Sequence, residues 1–517
     1  MPLRPETGGG RRARYRTAAA LAGVLALALG LRLWGLSASL PCVYHPDEPV
    51  NARVMRTMVL ERDPLPHFYD YPSLSYYINA AAYVPYRLMT GKGGTPPALM
   101  ANPIMGVTKD GDPGAMLLGR SISVLFGVAT VAVVFLLARG AGMTRVAALG
   151  AAAVVAVLPD HVESSRFVTP DVIAVFFAVL SVYGAVRVVR DGGYEWYALA
   201  GVSAGLAAGT KYNAGLVVVA LVAAHLLRAG LSPRRAAPAL VGIGLCGAAF
   251  VASTPAVVFD SLSVLRAVRG VGSHYSAGHP GMQGHQLSWY AGHLLTTLGP
   301  VAALAFVAPW RALRERSSAL LVLLAFPAAY LAFICSFAVR NARTLLPAEP
   351  FLAILGVVAA VGAVEALSRD GGSLVRSRAT VLPVVAIVCL VLPLAVTIRQ
   401  SAAYAGVSAQ ERAREWMAAN VAKDAVVYFE SYSPYISDTH PDARAIKFLN
   451  REPAEEYRRQ GADYLVFSRN AWARFFEPGQ ESAVGAEAYE RLWSELRLVR
   501  KFEDDAGQEI GVYALAR

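Results

Sequence analysis

Residues 116–138, MLLGRSISVLFGVATVAVVFLLA, form an apolar run interrupted by one charge, Arg120. A helix that crosses a bilayer needs about 20 such residues. Ten further runs resemble it, the one at 196–210 being weaker and rich in Gly and Ala. These runs lie at 17–36, 146–158, 170–186, 196–210, 213–227, 238–258, 294–309, 319–338, 345–366 and 380–397. The hydropathy pattern therefore predicts a polytopic α-helical membrane protein with about eleven transmembrane helices.

Composition and charge agree with a membrane protein. The chain is 55% hydrophobic and 16% charged, whereas soluble domains carry roughly 25% charged residues. Arginines recur in alternate loops, which predicts a cytoplasmic N-terminus and an extracytoplasmic C-terminal region in a bacterial cytoplasmic membrane. We attribute the net charge of +11 to this topology and to contact with anionic membrane lipids, and we expect no nucleic-acid partner.

Two alternatives concern processing and cysteine chemistry. The first run could be a cleaved signal peptide, but residues 37–40 lack a small-residue cleavage site, so an uncleaved helix is the better interpretation. The cysteines show neither close pairing nor metal-ligand spacing, and we predict no disulfide framework and no zinc site. They are Cys42, Cys246, Cys335 and Cys389.

The apolar runs end near residue 397, and the rest of the chain has a different pattern. Helix-like segments at 410–420 and 453–460 alternate with strand-like segments at 425–429 and 464–468. This alternation predicts a small α/β fold. We therefore divide the chain into a transmembrane domain, 1–397, and an extracytoplasmic α/β domain, 398–517.

Polar residues that look out of place cluster on one predicted side, the outer one. Ionisable groups at membrane depth are costly and usually functional. The simpler alternatives are helix-starting acids for Asp47, Glu48 and Asp171, and an interfacial aromatic belt for the tyrosines. The candidates are Asp47, Glu48, Asp70, Tyr71, Arg120, Arg166, Asp171, Lys211, Arg340 and Arg343.

The outer segment 257–293 is rich in histidine, including His274 and His279. We predict an irregular, Gly-rich loop, which offers no ligand spacing for a metal. A loop that orders over bound substrate is the preferred interpretation, with His274 and His279 as hydrogen-bonding partners of phosphate or sugar.

Three motifs on the outer side occur together: Asp47-Glu48 after the first helix, Asp70-Tyr71-Pro72, and Arg343-Thr344-Leu345-Leu346-Pro347. This combination resembles the lipid-carrier-dependent glycosyltransferases of the C superfamily, which include protein O-mannosyltransferases and aminoarabinose transferases. The resemblance covers about the first 370 residues, with a looser match in the tail. Three departures are Thr344, where the family usually has Tyr, Asp70, where it often has Glu or His, and the absence of the Trp-Trp-Asp signature of oligosaccharyltransferases.

The resemblance implies a membrane glycosyltransferase fold and an inverting reaction. An acceptor hydroxyl attacks a sugar carried on polyprenyl phosphate, and the acceptor is a protein, a lipid or an envelope glycan. Asp47 is the implied general base, with Glu48 as second choice or as an orienting partner. Donor-phosphate binding is assigned to Arg343, then Lys211 and Arg340, since a guanidinium suits phosphate. The remaining candidates are assigned to substrate, although Arg120 and Arg166 could instead pair with Asp171 or Asp47.

Cofactor need is open at this stage. We expect no obligatory cofactor, but a divalent cation, Mg²⁺ or Mn²⁺, held by Asp47 and Glu48 is an alternative, since carboxylates and phosphate suit such ions. The rival functions are a transporter and a non-catalytic membrane scaffold. Transporters concentrate charge at the bilayer midplane, whereas the charges here gather on one face, which favours catalysis.

Overall fold

A computed structural model describes residues 10–91, 108–279, 282, 284–369, 378–477 and 480–515. The chain up to residue 405 is almost entirely helical. Its helices are α1 Arg11–Leu33, α2 Glu48–Glu61, α3 Leu74–Thr90, α4 Pro113–Gly140, α5 Arg145–Ala156, α6 Pro159–Ser164, α7 Asp171–Arg190, α8 Tyr194–Thr210, α9 Val218–Ala229, α10 Ala237–Ser253, α11 Ala256–Phe259, α12 Ser261–Ala277, α13 Gln286–Leu298, α14 Pro300–Ala305, α15 Ala308–Glu315, α16 Ser318–Ile334, α17 Ala342–Leu345, α18 Glu349–Arg369 and α19 Arg378–Ala405. Short 3₁₀ turns include Tyr212–Val217 and Pro233–Arg235.

Five helical segments among the described residues are long and apolar enough to cross a membrane, and shorter apolar helices accompany them. Ten of the eleven predicted runs coincide with one principal helix each. The run at 294–309 does not, and the prediction of a single span there is wrong. Gly299, at φ +55°, separates α13 from α14, and the chain breaks again before α15. A left-handed residue cannot continue a right-handed helix.

The outer segment 257–293 also differs from its prediction. Much of it is helical, because α12 occupies Ser261–Ala277 and α13 begins at Gln286. His274 lies in the last turn of α12, whereas His279 follows this helix. The expectation of an irregular loop is therefore wrong for most of the segment.

Helices α8 and α10 pack unusually closely through glycines. A Cβ atom added at Gly201 would overlap the carbonyl oxygen of Gly242, and one at Gly205 would meet the carbonyl oxygen of Cys246 and lie 2.8 Å from Cβ of Ala249. Small residues allow this approach between membrane helices. The glycines thereby fix the path of α8, which ends immediately before Lys211.

The C-terminal region is a layered α/β unit, as predicted at this level. Its helices are α20 Ala409–Asn420, α21 Ala454–Arg459, α22 Arg469–Trp472 and α23 Gln480–Ser494. Its strands are β3 Val427–Phe429, β4 Arg444–Ala445, β5 Tyr464–Ser468, β6 Leu496–Glu503 and β7 Glu509–Leu515. The sheet order is β4-β3-β5-β7-β6, with parallel pairing from β4 to β5 and antiparallel pairing beyond.

Strand β5 shows how the two faces of this sheet are covered. Leu465 and Phe467 join the apolar cluster that contains Tyr489 of α23, whereas Val466 joins the cluster that contains Met417 of α20. This alternation is the period of two expected for a strand buried on both faces. Helix α19 runs without a break past residue 398 to Ala405, and the boundary at residue 398 stays a prediction.

A two-stranded sheet joins the chain just after α1 to the chain just before α4. Strand β1, Cys42–Val43, pairs antiparallel with β2, Thr108–Lys109. The segment between α1 and α2 is thus anchored just before the Asp47-Glu48 motif.

Candidate active site

The two acids of the Asp47-Glu48 motif point in different directions. Asp47 occupies the N-cap position of α2, but its side chain makes no capping hydrogen bond. Its Oδ2 instead accepts a hydrogen bond from Nη1 of Arg343 at 2.6 Å. A helix-starting role thus does not account for the Asp47 carboxylate, which remains about a quarter exposed, at 26%.

Glu48 is sealed in the protein. Its Oε1 accepts hydrogen bonds from Nε of Arg120 and from the backbone N–H of Val168, both at 2.9 Å, and its Oε2 accepts one from Nη2 of Arg120 at 2.8 Å. The Glu48 side chain is 0% exposed. A carboxylate buried at this depth is out of reach of a substrate hydroxyl, so the geometry favours the alternative of an orienting partner, here of Arg120, over a catalytic role.

Arg120 is committed to this pair. Besides Glu48 it donates to the backbone carbonyl of Leu36 at 2.8 Å, and its side chain is 2% exposed. The assignment of Arg120 to substrate is therefore contradicted, and so is the suggested pairing with Asp171 or Asp47. Buried charges require such complete pairing because desolvation is costly.

Arg166 is likewise buried, at 1% exposure. It donates to the carbonyl of Leu31 at 2.8 Å and to the hydroxyl of Ser401, and its guanidinium lies 5.4 Å from the ring centroid of Tyr404. These contacts join α1 to α19. They contradict both the substrate-binding assignment and the pairing with an acid of the site.

Four charged groups from four parts of the chain form what we call the ionic cluster: Asp47, Arg343, Asp171 and Lys211. Nη1 of Arg343 lies 2.6 Å from Asp47 Oδ2 and 3.8 Å from Asp171 Oδ2. Nζ of Lys211 donates to Asp171 Oδ1 at 2.6 Å. Two cations thus balance two carboxylates, and Arg343, 33% exposed, faces open space.

Local structure explains how these groups meet. Asp47 precedes α2, Asp171 begins α7, Lys211 follows the end of α8, and Arg343 lies in the short helix α17. Each therefore lies at a helix end or in a short helix, where the chain emerges at one face of the bundle.

His45 lies beside the cluster. Its Nδ1 accepts the backbone N–H of Asp47 at 3.2 Å. In the neutral ring this leaves the proton on Nε2, so the 3.5 Å approach of Arg343 Nη1 to Nε2 is a contact between two donors. Burial, followed by the charge of Arg343, lowers the pKa of His45 to about 4. The imidazole is thus neutral near pH 7.

Tyr71 lies at the cluster, whereas the electrostatic partners of Asp70 include Tyr76 and Tyr212. The pKa of Tyr71 is raised well above 10, first by burial and then by the charges of Asp47 and Asp171. Asp70 is exposed; burial raises its pKa and the charge of His274 opposes this. The structure therefore separates two neighbouring residues that were both assigned to substrate.

His274 and His279 form a second polar site with Asp70. Their ring centroids are 4.6 Å apart. The pKa of His279 is lowered by burial and then by the charges of His274, Arg474 and Lys447, the last two from the C-terminal region. Arg340 lies elsewhere, with its guanidinium 5.7 Å from the ring centroid of Trp289.

Two further residues lie near the cluster. Tyr275 interacts electrostatically with Tyr71 and Lys211, and its carbonyl accepts the backbone N–H groups of Ala338 and Val339 at 3.0 Å. It directly follows His274, in a stretch that was expected to hydrogen-bond phosphate or sugar.

Glu163 is the second such residue. It is solvent-exposed, yet the charges of Asp160, Arg166, Arg343 and His293 act on it. Glu163 therefore shares the electrostatic environment of Arg343. An acidic residue between the apolar runs 146–158 and 170–186 was the signal in the sequence that could have identified it.

A divalent cation held by Asp47 and Glu48 does not fit this geometry, because both oxygens of Glu48 already accept hydrogen bonds. Within the described ranges, no group of three His, Cys, Asp or Glu side chains converges as a metal site would require. The cations available to an anionic group near Asp47 are instead Arg343 and Lys211.

One known protein family matches part of the chain. Residues 106–232 match the family described as dolichyl-phosphate-mannose-protein mannosyltransferase. This segment contains Asp171 and Lys211 but neither Asp47 nor Arg343. No curated protein sequence matches the chain significantly.

Solved structures match nearly the whole chain. The oligosaccharyltransferase AglB from Archaeoglobus fulgidus, in complex with an inhibitory peptide and a dolichol-phosphate, is 14% identical with a TM-score of 0.59, and the match covers 98% of this chain and 75% of AglB. ArnT from Cupriavidus metallidurans, in the apo state, is 15% identical with a TM-score of 0.53, and the match covers 96% and 98%. ArnT bound to undecaprenyl phosphate gives the same score and identity over 95% and 97%.

These similarities define the class of fold. The chain has the multi-helical fold of the C-superfamily glycosyltransferases, with several apolar helices and a small C-terminal sheet region. The fold and the partial family match confirm the resemblance found in the sequence motifs.

Proposed function

We propose that this chain is a membrane glycosyltransferase. It transfers a sugar from a polyprenyl-phosphate-linked donor to an acceptor hydroxyl on a protein, a lipid or an envelope glycan, at the outer face of the membrane and with inversion. The observation that carries the proposal is the ionic cluster, in which Arg343 bridges the acids Asp47 and Asp171 at 2.6 and 3.8 Å.

The cluster contains the groups that the reaction needs. The acceptor oxygen attacks the anomeric carbon, and the bond from this carbon to the phosphate oxygen breaks. The acceptor proton passes to the Asp47 carboxylate. The bonding electrons leave with polyprenyl phosphate, whose growing charge is stabilised by Arg343 and Lys211.

Arg343 gives the site a way to depend on donor binding. In the structure its guanidinium donates a hydrogen bond to Asp47, and the oxygen that accepts this bond is less available to a substrate proton. A phosphate competes well for a guanidinium because it offers charged acceptor oxygens. Donor binding would then draw Arg343 from Asp47 and leave the carboxylate free to accept a proton.

The donor class is supported by what the structural relatives bind. ArnT has a crystal structure with bound undecaprenyl phosphate, and AglB has a structure in complex with an inhibitory peptide and a dolichol-phosphate. We extend this class of carrier to the present chain. The proposal includes no metal-dependent step, because the donor set at Asp47 and Glu48 does not suit one.

The proposal has a topological part. We place the N-terminus in the cytoplasm of a bacterium and the C-terminal domain, from residue 398, outside the cytoplasmic membrane, with about eleven spans. The arginine-rich N-terminal segment supports this orientation. Labelling of single cysteines placed at Arg14 and Lys423 in intact cells tests it, and accessibility of position 14 from outside would contradict it.

The first test of function is Asp47→Asn. The purified chain in lipid nanodiscs would be given a polyprenyl-phosphate sugar together with an acceptor that carries a free hydroxyl, and release of polyprenyl phosphate would be measured. We expect the substitution to lower turnover by about 10²–10⁴-fold, since a general base contributes that much, and to cause the donor to accumulate in cells.

The matched control is Glu61→Gln, which removes an exposed carboxylate at the far end of the same helix. It should leave turnover unchanged. A transporter or a scaffold would release no polyprenyl phosphate in the unmodified chain, and equal activity of the Asp47→Asn and Glu61→Gln variants would overturn the assignment of Asp47.

A further inference from the structure

The segment that carries Asp47 is short and leaves β1 almost directly. Strand β1 ends at Val43, and Tyr44 and His45 follow before Asp47. Strand β1 pairs with β2, with Cys42 opposite Lys109. Contacts that hold Tyr44 and Lys109 therefore also restrict the backbone segment that leads to Asp47.

Both residues are held by the C-terminal region. The Tyr44 hydroxyl donates to Glu411 Oε2 at 2.8 Å. Nζ of Lys109 donates to Asp438 Oδ2 at 2.9 Å. Between these contacts Arg414 donates to Glu411 Oε1 at 3.0 Å and to Asp438 Oδ2 at 2.7 Å.

We call these five residues the Tyr44 clamp: Tyr44, Glu411, Arg414, Asp438 and Lys109. The signs of its charges alternate along the network. The side chains of its three C-terminal members are 19–24% exposed, so solvent screens them less than an ordinary surface pair. Lys109 is 43% exposed, and its single ion pair would contribute little if it stood alone.

A second route connects the same parts of the chain through aromatic rings. His45 and Phe167 have ring centroids 4.2 Å apart, and Phe167 packs edge-on against Tyr404 at 5.6 Å. Tyr404 belongs to the last turn of α19, three residues before Val407 and the start of the C-terminal unit. The contacts of Tyr44 and His45 thus enclose the segment leading to Asp47 from two sides.

From this geometry we propose that Glu411, Arg414 and Asp438 of the C-terminal region are positioning residues, which hold Asp47 in its reactive orientation by fixing Tyr44 and the β1–β2 pair. The inference rests on the proposed function, because orientation matters only where Asp47 acts on a substrate. Misplacement of a catalytic group by a fraction of an ångström lowers turnover more than substrate binding.

The experiment compares four variants in nanodiscs. Tyr44→Phe removes one hydroxyl, Glu411→Ala removes its acceptor, the double variant removes both, and Glu415→Ala removes an exposed carboxylate from the same helix as a control. We expect turnover to fall about tenfold for Tyr44→Phe and for Glu411→Ala, with the KM for the donor within twofold of the original. The double variant should be no slower than Glu411→Ala alone, and Glu415→Ala should be unchanged.

A second readout does not depend on activity. Hydrogen exchange of the backbone amides of residues 44–51 should become faster in Tyr44→Phe and Glu411→Ala and stay the same in Glu415→Ala. In addition, Lys109→Arg should retain turnover whereas Lys109→Met should lose part of it.

The outcomes separate the two proposals. If the unmodified chain releases no polyprenyl phosphate, the proposed function fails, while the exchange data still judge the clamp. If Tyr44→Phe and Glu411→Ala only lower the melting temperature, and turnover and exchange at residues 44–51 are unchanged, the clamp is merely structural and the positioning role is refuted.

Discussion

Asp47 and Glu48 are adjacent acids, each paired with an arginine, yet they belong to two different regions of the protein. Glu48 and Arg120 are 0% and 2% exposed, and both oxygens of the carboxylate are occupied. Asp47 and Arg343 are 26% and 33% exposed, and Arg343 also approaches a second acid. The comparison shows that burial of the arginine partner distinguishes a structural ion pair from one that can exchange partners. The place of the acid in the Asp47-Glu48 motif does not.

The largest expected effect comes from breaking the sealed pair. Glu48→Ala leaves the Arg120 guanidinium buried without its counter-ion, and removal of one partner of a buried pair costs about 3–5 kcal/mol. We expect a correspondingly large fall in the free energy of unfolding, measured by chemical denaturation in detergent.

Asp47→Ala is the matched variant for the open pair. Arg343 keeps its approach to Asp171 and its access to solvent, so the loss of stability should stay below about 1 kcal/mol. Equal destabilisation by the two substitutions would show that the pairs do not differ as the burial suggests.

The next largest effect concerns turnover. Arg343→Met removes the cation that we assign to the leaving phosphate, and loss of one preorganised group of this kind costs about 10²–10³-fold. Single-turnover kinetics with a saturating donor would measure it. Arg340→Met provides the comparison three residues away, where the guanidinium lies over Trp289; a loss as large as that of Arg343→Met would show that proximity to Asp47 is not what matters.

The smallest expected effect is on the pH dependence of stability through His45. Its pKa of about 4 in the folded chain lies below the ordinary value of 6.5, so the unfolded chain binds more protons between these values. Stability should therefore fall as the pH drops from 7 to 5, by on the order of 1 kcal/mol from this residue. His45→Gln should reduce that fall, whereas His285→Gln, at an exposed site, should not; identical melting profiles for both variants would refute the prediction.

Much of the fold could be predicted because apolar length is a property of the sequence itself. The predicted run 170–186 became α7, and the strand-like run 464–468 became β5. The failures have local causes. Gly299 divides a run that carries no charge, because a backbone angle rather than hydropathy ends the helix. Strand β6 was missed because it is a partly exposed edge strand without strict alternation.

The site was predictable in one respect. Asp47, Lys211 and Arg343 were expected to share a pocket, and the structure brings them together through Asp171; their roles in catalysis stay a prediction. The sequence could not show that Glu48 and Arg120 satisfy each other, because that depends on the depth at which α4 meets α2. The cost of an unpaired charge within the membrane predicts that a partner exists, but not which one.

The glycine contacts between α8 and α10 have a consequence for Lys211. Gly201 and Gly205 lie directly against the backbone of α10, so α8 cannot shift relative to α10. The C-terminal end of α8 therefore determines the position of the Lys211 ammonium group. One extra methyl group deep in the helix pair would tilt that end and lengthen the 2.6 Å contact with Asp171. The position of the Lys211 charge thus depends on two glycines in the helix that precedes it.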